Sequence, residues 1–167
     1  MLQVAGFLEH STVNGQGLRS VLFVSGCHHA CVGCHNQAMQ DANYGEQFTV
    51  DTLYKRILKN QPIIEGVTFS GGEPFEQPQA LADLAIRLKA VGLNIWCYSG
   101  YTYETLKVLA LSNPSIDALL KEIDVLVDGP FIKDLADANL KFRGSSNQHI
   151  YALSKGNIVD TLDNFFI

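Results

Sequence analysis

Short apolar segments rich in β-branched residues alternate along this chain with amphipathic segments of helical period. The apolar segments have the length of buried strands, whereas the amphipathic ones repeat Leu, Ile and Ala on one helix face. Strands joined by helices of this length require crossover connections, which make neighbouring strands parallel and the connections right-handed. The alternation therefore predicts an α/β fold with a mostly parallel sheet.

The individual elements follow from these patterns together with helix caps and turn residues. The predicted strands span residues 18–24, 64–70, 93–99, 125–128 and 150–153. The predicted helices are a Thr49-capped segment to about Lys59, a segment with Leu81, Leu84, Ala85 and Leu88 that ends at Gly92, and residues 102–110 and 114–122. Because the chain has no internal repeat, low-complexity tract or linker, we expect one domain over residues 1–167.

Composition argues against two classes of partner. The formal net charge is −5 with only 12 Lys and Arg residues, whereas nucleic-acid binding requires concentrated positive charge. The amino-terminal stretch "MLQVAGFLEHSTVNG" has no basic leader or cleavage site, and no apolar run approaches the ~20 residues of a membrane span. The sequence therefore predicts a cytoplasmic protein that binds neither nucleic acid nor a membrane.

The stretch "CHHACVGCHN" at residues 27–36 gathers three of the four cysteines and three of the five histidines. In a reducing compartment, clustered cysteines are more often metal ligands or redox groups than disulfides. Cys27, Cys31 and Cys34 supply only three thiolates, whereas structural zinc sites and ferredoxin-type [4Fe-4S] sites take four ligands. The loop alone favours iron–sulfur over zinc, and a zinc ion completed by a neighbouring histidine stays open.

Turns with glycine follow three other predicted strands. These turns are Gly71-Gly72-Glu73-Pro74, Ser99-Gly100 and Asp128-Gly129. Parallel sheets bind ligands at the carboxyl ends of their strands, so we expect the turns and the cysteine loop to form one site. The remaining candidates are predicted to be structural: Cys97 as a buried free thiol, His28 and His29 as solvated loop residues, and Tyr98, Tyr101 and Tyr103 as packing or surface residues.

The order of these motifs resembles that of the radical S-adenosylmethionine (radical SAM) enzymes. Cys-x3-Cys-x2-Cys follows the first predicted strand, and Gly-Gly-Glu-Pro follows the next. The resemblance implies a partial, open (β/α) barrel in which Cys27, Cys31 and Cys34 hold a [4Fe-4S] cluster. It also implies that S-adenosylmethionine binds the fourth iron, so the ligand missing from the loop comes from the cosubstrate.

Longer stretches are similar to the anaerobic (class III) ribonucleotide reductase activating proteins, which are glycyl-radical activases. They include "LRSVLFVSGC", "NIWCYSGYT", "DVLVDGPF" and "FRGSSNQ". Gly33 and the short chain favour this branch over the longer activating enzymes of pyruvate formate-lyase, which usually have an aromatic residue before the third cysteine. Gln16 departs from the family, which commonly has proline there.

This resemblance implies a reaction, partners and a set of residues. S-adenosylmethionine is cleaved reductively to a 5′-deoxyadenosyl radical, which takes hydrogen from a glycine of the reductase catalytic subunit, with reduced flavodoxin or a similar protein as electron donor. The residues expected to bind S-adenosylmethionine are Gly33, His35, Asn36, Gly71, Gly72, Glu73, Ser99, Asp128 and Arg143. At Gly71 and Gly72 the backbone can approach the ligand because no Cβ intervenes, and Glu73 is expected to add an acceptor. No side chain beyond the cluster and cofactor is expected to be catalytic.

Three other functions stay open on the sequence. They are an activase of another glycyl-radical enzyme such as pyruvate formate-lyase, a radical SAM enzyme acting on a small molecule, and a non-enzymatic iron–sulfur or zinc-binding module. A chain of 167 residues has little length with which to enclose a small substrate. A barrel that a protein partner completes is therefore the more economical interpretation.

Overall fold

The computed structural model describes residues 1–166 and forms one open sheet with helices packed against it. Residue 167 of the predicted domain lies outside the described residues. The strands are β1 (Leu2–Ser11), β2 (Arg19–Val24), β3 (Glu46–Phe48), β4 (Gly66–Gly71), β5 (Asn94–Tyr98), β6 (Val125–Asp128), β7 (His149–Ser154) and β8 (Asn157–Thr161). The helices are α1 (Val50–Leu58), α2 (Pro78–Ala90), α3 (Tyr103–Ser112) and α4 (Pro114–Glu122).

The four predicted helices all form, and their caps explain where they begin. Thr49 caps α1 by accepting a hydrogen bond from the N–H of Thr52, and Asn113 caps α4 in the same way. Pro114 occupies the first turn of α4, where its missing N–H costs nothing. Across residues 1–166, none of the helices has both the length and the apolar character needed to cross a membrane.

The prediction of a mostly parallel sheet is wrong. The strand order is β3-β1-β2-β4-β5-β6-β7-β8, and only the central neighbours β2, β4, β5 and β6 pair in parallel. The outer pairings are antiparallel: β1 with β2 and β3, β7 with β6, and β8 with β7. The tight turn at Lys155 and Gly156, with φ of 52° and 82°, can join only antiparallel strands. The sheet is therefore mixed, with a parallel centre flanked by antiparallel strands.

The two faces of the sheet are covered differently. On one face, side chains such as Phe69, Ile95 and Leu126 pack in one buried cluster with residues from all four helices. On the other face, Trp96 packs against Phe142 and Phe166, with ring centroids 5.3 Å and 5.7 Å away. Among the described residues, this second cluster contains no helix residue. Loops rather than helices therefore cover the second face, and that leaves room for a cavity.

Arg19 fastens the loop before β2 to this second face. Its side chain is buried, with Nε donating to Thr68 Oγ1 at 2.8 Å and Nη2 donating to the carbonyl oxygen atoms of Val67 at 3.0 Å and Asn94 at 3.2 Å. Nη1 donates to the carbonyl oxygen of Gln16 at 3.0 Å, and burial lowers the pKa of Arg19 to about 10. One guanidinium group thus connects the loop to β4 and β5.

We expect Arg19→Ala to lower the free energy of unfolding by about 3 kcal/mol, because it removes a large buried side chain and leaves carbonyl groups without donors. Arg56→Ala is the matched control, since Arg56 is about half exposed and pairs with Glu9 at 2.8 Å. The control should cost less than about 1 kcal/mol. Urea unfolding followed by circular dichroism measures both, and equal losses would contradict the anchoring role of Arg19.

Candidate functional site

A cavity of about 600 Å³ lies where the carboxyl ends of the central strands meet the loops of the second face. Nine of the residues that the sequence assigns to cluster or cofactor line this cavity, namely Cys27, Cys31, Cys34, His35, Asn36, Gly71, Gly72, Ser99 and Arg143. Three assigned residues, Gly33, Glu73 and Asp128, are not among the lining residues. The structure thus brings the cysteine loop and the strand-end turns together.

The three loop cysteines are free, half-buried thiols. The N–H of Cys34 donates to the carbonyl oxygen of Cys31 at 3.1 Å, and the N–H of Asn36 donates to the Cys34 sulfur at 3.4 Å. Burial raises the pKa of Cys27. Within residues 1–166, no three Cys, His, Asp or Glu side chains are grouped closely enough to hold a single metal ion. Three thiolates from one short loop can hold a [4Fe-4S] cluster, in which each thiolate binds a different iron.

The glycine turn after β4 packs directly against the base of the cysteine loop. Gly71 has a φ of +104°, a conformation that side chains disfavour. A Cβ at Gly72 would lie 2.5 Å from the carbonyl oxygen of Gly26 and 2.7 Å from that of Met39. Asn36 Nδ2 donates to the carbonyl oxygen of Gly71 at 3.2 Å, so the far end of the loop also contacts the turn.

Glu73 is completely buried, and protein groups use both of its carboxylate oxygen atoms. Oε1 accepts hydrogen bonds from the N–H of Gly100 at 2.8 Å and from Ser99 Oγ at 3.0 Å. Oε2 accepts from the N–H of Phe75 at 3.0 Å. The fourth contact is the 2.7 Å hydrogen bond between Oε1 and His29 Nε2. This carboxylate therefore points into the protein, although the sequence suggested an acceptor that faces a ligand.

His29 differs from its neighbour His28. The prediction that His29 is a solvated loop residue is wrong, since its side chain is only 16% exposed and lies edge-on to Tyr101 with ring centroids 4.5 Å apart. The hydrogen bond to Glu73 raises the pKa of His29. His28 is 79% exposed, as expected for a loop residue. The sequence carries no local signal that separates the two histidines.

Asp128 and Arg143 hold the far wall of the cavity in place. The buried Asp128 carboxylate accepts from the N–H of Tyr103 at 2.7 Å and from the N–H of His149 at 3.1 Å, and burial raises its pKa. Arg143 lines the cavity and donates through Nη1 to the carbonyl oxygen of Gln148 at 3.1 Å. Asp128 thus supports the strand end from behind, whereas Arg143 faces the cavity.

Several further lining residues were not assigned to the site from the sequence. Tyr98, predicted to be a packing residue, lines the cavity, as do Asn14 and Phe131. The signal for Tyr98 was present, because strand side chains alternate and Trp96 two residues earlier lies on the same face. Cys97, between them, points into the helix-packed core and is fully buried, as predicted.

Comparison with known proteins identifies the family. A model of the 4Fe-4S single cluster domain matches residues 13–151. The anaerobic ribonucleoside-triphosphate reductase-activating protein of Escherichia coli K12 is 37% identical, over 84% of this chain and 92% of its own. The proteins of that name from Vibrio cholerae and Enterobacteria phage T4 are 41% and 35% identical, over 83% and 86% of this chain and 90% of theirs. The chain belongs to the anaerobic ribonucleoside-triphosphate reductase-activating proteins.

Membership in the reductase-activating proteins confirms the family resemblance seen in the sequence. The matched 4Fe-4S domain contains all three loop cysteines, and it supports an iron–sulfur cluster rather than zinc. The same range contains both the glycine turn after β4 and the Arg143 loop, so the cavity walls belong to the domain that the family shares.

Proposed function

We propose that this chain is a radical SAM glycyl-radical-activating enzyme that acts on the anaerobic ribonucleotide reductase. The observation that carries this proposal is one cavity shared by three half-buried thiols and a glycine turn, in a member of the reductase-activating proteins. Three thiolates leave one iron of a [4Fe-4S] cluster without a protein ligand. S-adenosylmethionine would complete that coordination.

The cavity residues divide into two groups under this proposal. Cys27, Cys31 and Cys34 would hold the cluster, and the backbone at Gly71 and Gly72 would meet the methionine end of S-adenosylmethionine. The remaining proposed contacts of S-adenosylmethionine from the cavity are those of His35, Asn36, Ser99 and Arg143. Gly33 is proposed as a further contact from the cysteine loop, although it does not line the cavity. Glu73 and Asp128 act behind this layer, because protein hydrogen bonds use their carboxylates. Their proposed part is to fix the strand ends that the ligand contacts.

When bound, the cluster supplies the electron that cleaves S-adenosylmethionine to methionine and the 5′-deoxyadenosyl radical, which takes hydrogen from a glycine of the reductase. The chain itself contributes placement, because reacting atoms must lie within about 3–3.5 Å of each other. Under this proposal the open, mixed sheet would serve as a partial radical SAM barrel, and the reductase would close its open side and exclude water. Reduced flavodoxin or a similar protein is the proposed electron donor, and the cytoplasmic location stays a prediction from the sequence.

The partner is tested with the reconstituted, reduced protein under anaerobic conditions. It is incubated with S-adenosylmethionine and, separately, with the anaerobic ribonucleotide reductase or the pyruvate formate-lyase of the same organism. We expect a glycyl-radical doublet in the electron paramagnetic resonance spectrum with the reductase only, and one 5′-deoxyadenosine for each radical formed. Omitting S-adenosylmethionine should abolish both signals.

The other outcomes separate the alternatives. A doublet on the formate-lyase alone would mean that the partner is wrong and the chemistry right. If neither protein supports the formation of 5′-deoxyadenosine, and a small metabolite is consumed instead, the result would favour an enzyme acting on small molecules. A colourless protein with stoichiometric zinc and no iron would favour a binding module.

A further inference from the structure

One hydrogen bond joins the two motifs of the cavity. His29 lies between the first two cysteines of the loop, and Glu73 directly follows the two glycine residues of the turn after β4. The His29 Nε2 atom lies 2.7 Å from Glu73 Oε1, although 44 residues separate the two in sequence. The contact therefore ties the cysteine loop to the carboxyl end of β4.

Glu73 is a fixed anchor rather than a mobile partner. Its carboxylate is fully buried and also accepts hydrogen bonds from Ser99 Oγ and from the N–H groups of Phe75 and Gly100. These donors belong to the turns after β4 and β5, so they hold the carboxylate against both strand ends. A histidine bound to such an acceptor takes its position from the sheet.

The space around His29 fits an imidazole ring. Tyr101 packs edge-on against the ring with centroids 4.5 Å apart, and the N–H of Tyr101 donates to Ser99 Oγ at 3.0 Å. On another side the ring contacts Gly100, where a Cβ would overlap the ring atoms. These contacts hold the ring against the turn that follows β5, at the wall of the cavity.

The other buried contacts of the cysteine loop lie at its two ends, and between them His28 makes only an exposed pair with Glu76 at 3.1 Å. At its base, the N–H of Cys27 donates to the carbonyl oxygen of Gln40 at 3.1 Å, and beyond the third cysteine Asn36 contacts Gly71. Between these points, the His29 contact is the only buried side-chain hydrogen bond from loop residues 27–34 to a strand-end turn within the described chain. It is therefore the main buried contact of the half of the loop that carries the first two cysteines, since an exposed pair such as His28–Glu76 contributes little.

We propose that His29 is a positioning residue, which acts through Glu73 to set Cys27 and Cys31 at a fixed place relative to the glycine turn. This inference deepens the proposed function, because it assumes that these cysteines carry the cluster that faces S-adenosylmethionine. His29 itself is a ligand neither of the cluster nor of S-adenosylmethionine in this proposal. His29 would limit opening of the cysteine loop, both in the cluster-free protein and in the protein that holds the cluster.

The test compares loop opening in four proteins: the wild type, His29→Ala, His29→Gln and His28→Ala. Glutamine keeps an N–H donor at similar reach, whereas the exposed neighbour His28 provides a matched control. In the cluster-free protein, alkylation of Cys27 and Cys31 by iodoacetamide should rise about tenfold in His29→Ala, the order expected for losing a hydrogen bond to a charged group. His29→Gln should stay near the wild type, and His28→Ala should change little, because it removes only the exposed pair with Glu76.

A second measurement uses the loaded protein. Iron release to bathophenanthroline disulfonate should be faster in His29→Ala by a similar factor, and glutamine should restore the wild-type rate. The buried thiol of Cys97 is the internal control for folding, because it should stay unreactive in every variant. If His29→Ala fails to fold, His29→Asn replaces it, since asparagine keeps the amide donor and lacks the reach.

Two results would overturn the inference. One is a His29→Ala protein that matches His28→Ala in both alkylation and iron release. The other, where His29→Asn replaces His29→Ala, is equal behaviour of the glutamine and asparagine variants, because reach to Glu73 would then have no effect. Alkylation does not depend on S-adenosylmethionine or on the reductase. A wild type that forms no glycyl radical would therefore defeat the proposed function, and the alkylation ratio would still decide the role of His29.

Discussion

Alanine in place of Cys27, Cys31 or Cys34 is expected to abolish the [4Fe-4S] cluster, whereas Cys97→Ala retains it. Each loop thiolate would bind a different iron, so the loss of one exposes the cluster to hydrolysis and oxidation. All three loop thiols are half-buried and line the same cavity. None of them can take over the position of another, because each comes from a different point of one short loop.

Cys97 provides a matched control within the same chain. It is fully buried on the helix side of β5, and burial raises the pKa of its thiol, so it cannot serve as a substitute ligand. Iron and sulfide are measured for each variant after anaerobic reconstitution. Full occupancy in Cys31→Ala, or complete loss in Cys97→Ala, would contradict the assignment of the loop.

Gly72→Ala should reduce both cluster content and S-adenosylmethionine binding. The added Cβ would lie 2.5 Å and 2.7 Å from the carbonyl oxygen atoms of Gly26 and Met39, which are backbone atoms at the base of the cysteine loop. Overpacking of this kind costs about 1–3 kcal/mol, so we expect affinity for S-adenosylmethionine to fall by about tenfold. From the sequence, Gly72 was expected to matter for the ligand alone, and the structure adds the contact with the loop.

Gly6→Ala is the matched control for this substitution. Its Cβ would have one neighbour, Phe23 Cδ2 at 3.8 Å, which is an ordinary contact. Iron analysis and titration of the cluster spectrum with S-adenosylmethionine measure both effects. Normal iron content together with unchanged affinity in Gly72→Ala would remove the glycine turn from the site.

The helices and the central strands could be predicted because their burial follows a simple period. Helix α4 begins at Pro114 and ends at Glu122, and β6 covers Val125–Asp128, all as predicted. Both elements begin or end at residues with a strong local preference, such as the Asn113 cap before a proline. Where packing and local preference agree, the sequence alone is sufficient to predict the bounds of an element.

The outer strands lack such a signal. All five residues of β8 are exposed, so they show no alternation, and the turn before it is Lys-Gly rather than Asn-Gly. Strand β1 interrupts its pattern with Gly6 and is irregular where it pairs with β2. The sheet was predicted to be mostly parallel because β1, β3 and β8 were not predicted. Only strands joined by a helix need a crossover connection and therefore run parallel.

The site shows the same division between local and distant information. Parallel strands bind ligands at their carboxyl ends, and this rule depends only on the order of the elements. It therefore grouped the cysteine loop correctly with the turns at Gly71 and Ser99. The contact between His29 and Glu73 depends on the packing of residues 44 positions apart. No periodicity or spacing encodes that contact, so only the three-dimensional structure could show it.

The cysteine loop is separate from the helix-packed core in one further respect. Between Val24 and Leu53, no residue of the described chain is a fully buried member of that core. The buried apolar packing that stabilises the fold therefore lies outside the loop, so we expect loss of the cluster to leave the helix-packed core intact. Oxidation by air would then remove the cluster and leave the protein folded. The same molecule could be reconstituted with a cluster when anoxic conditions return.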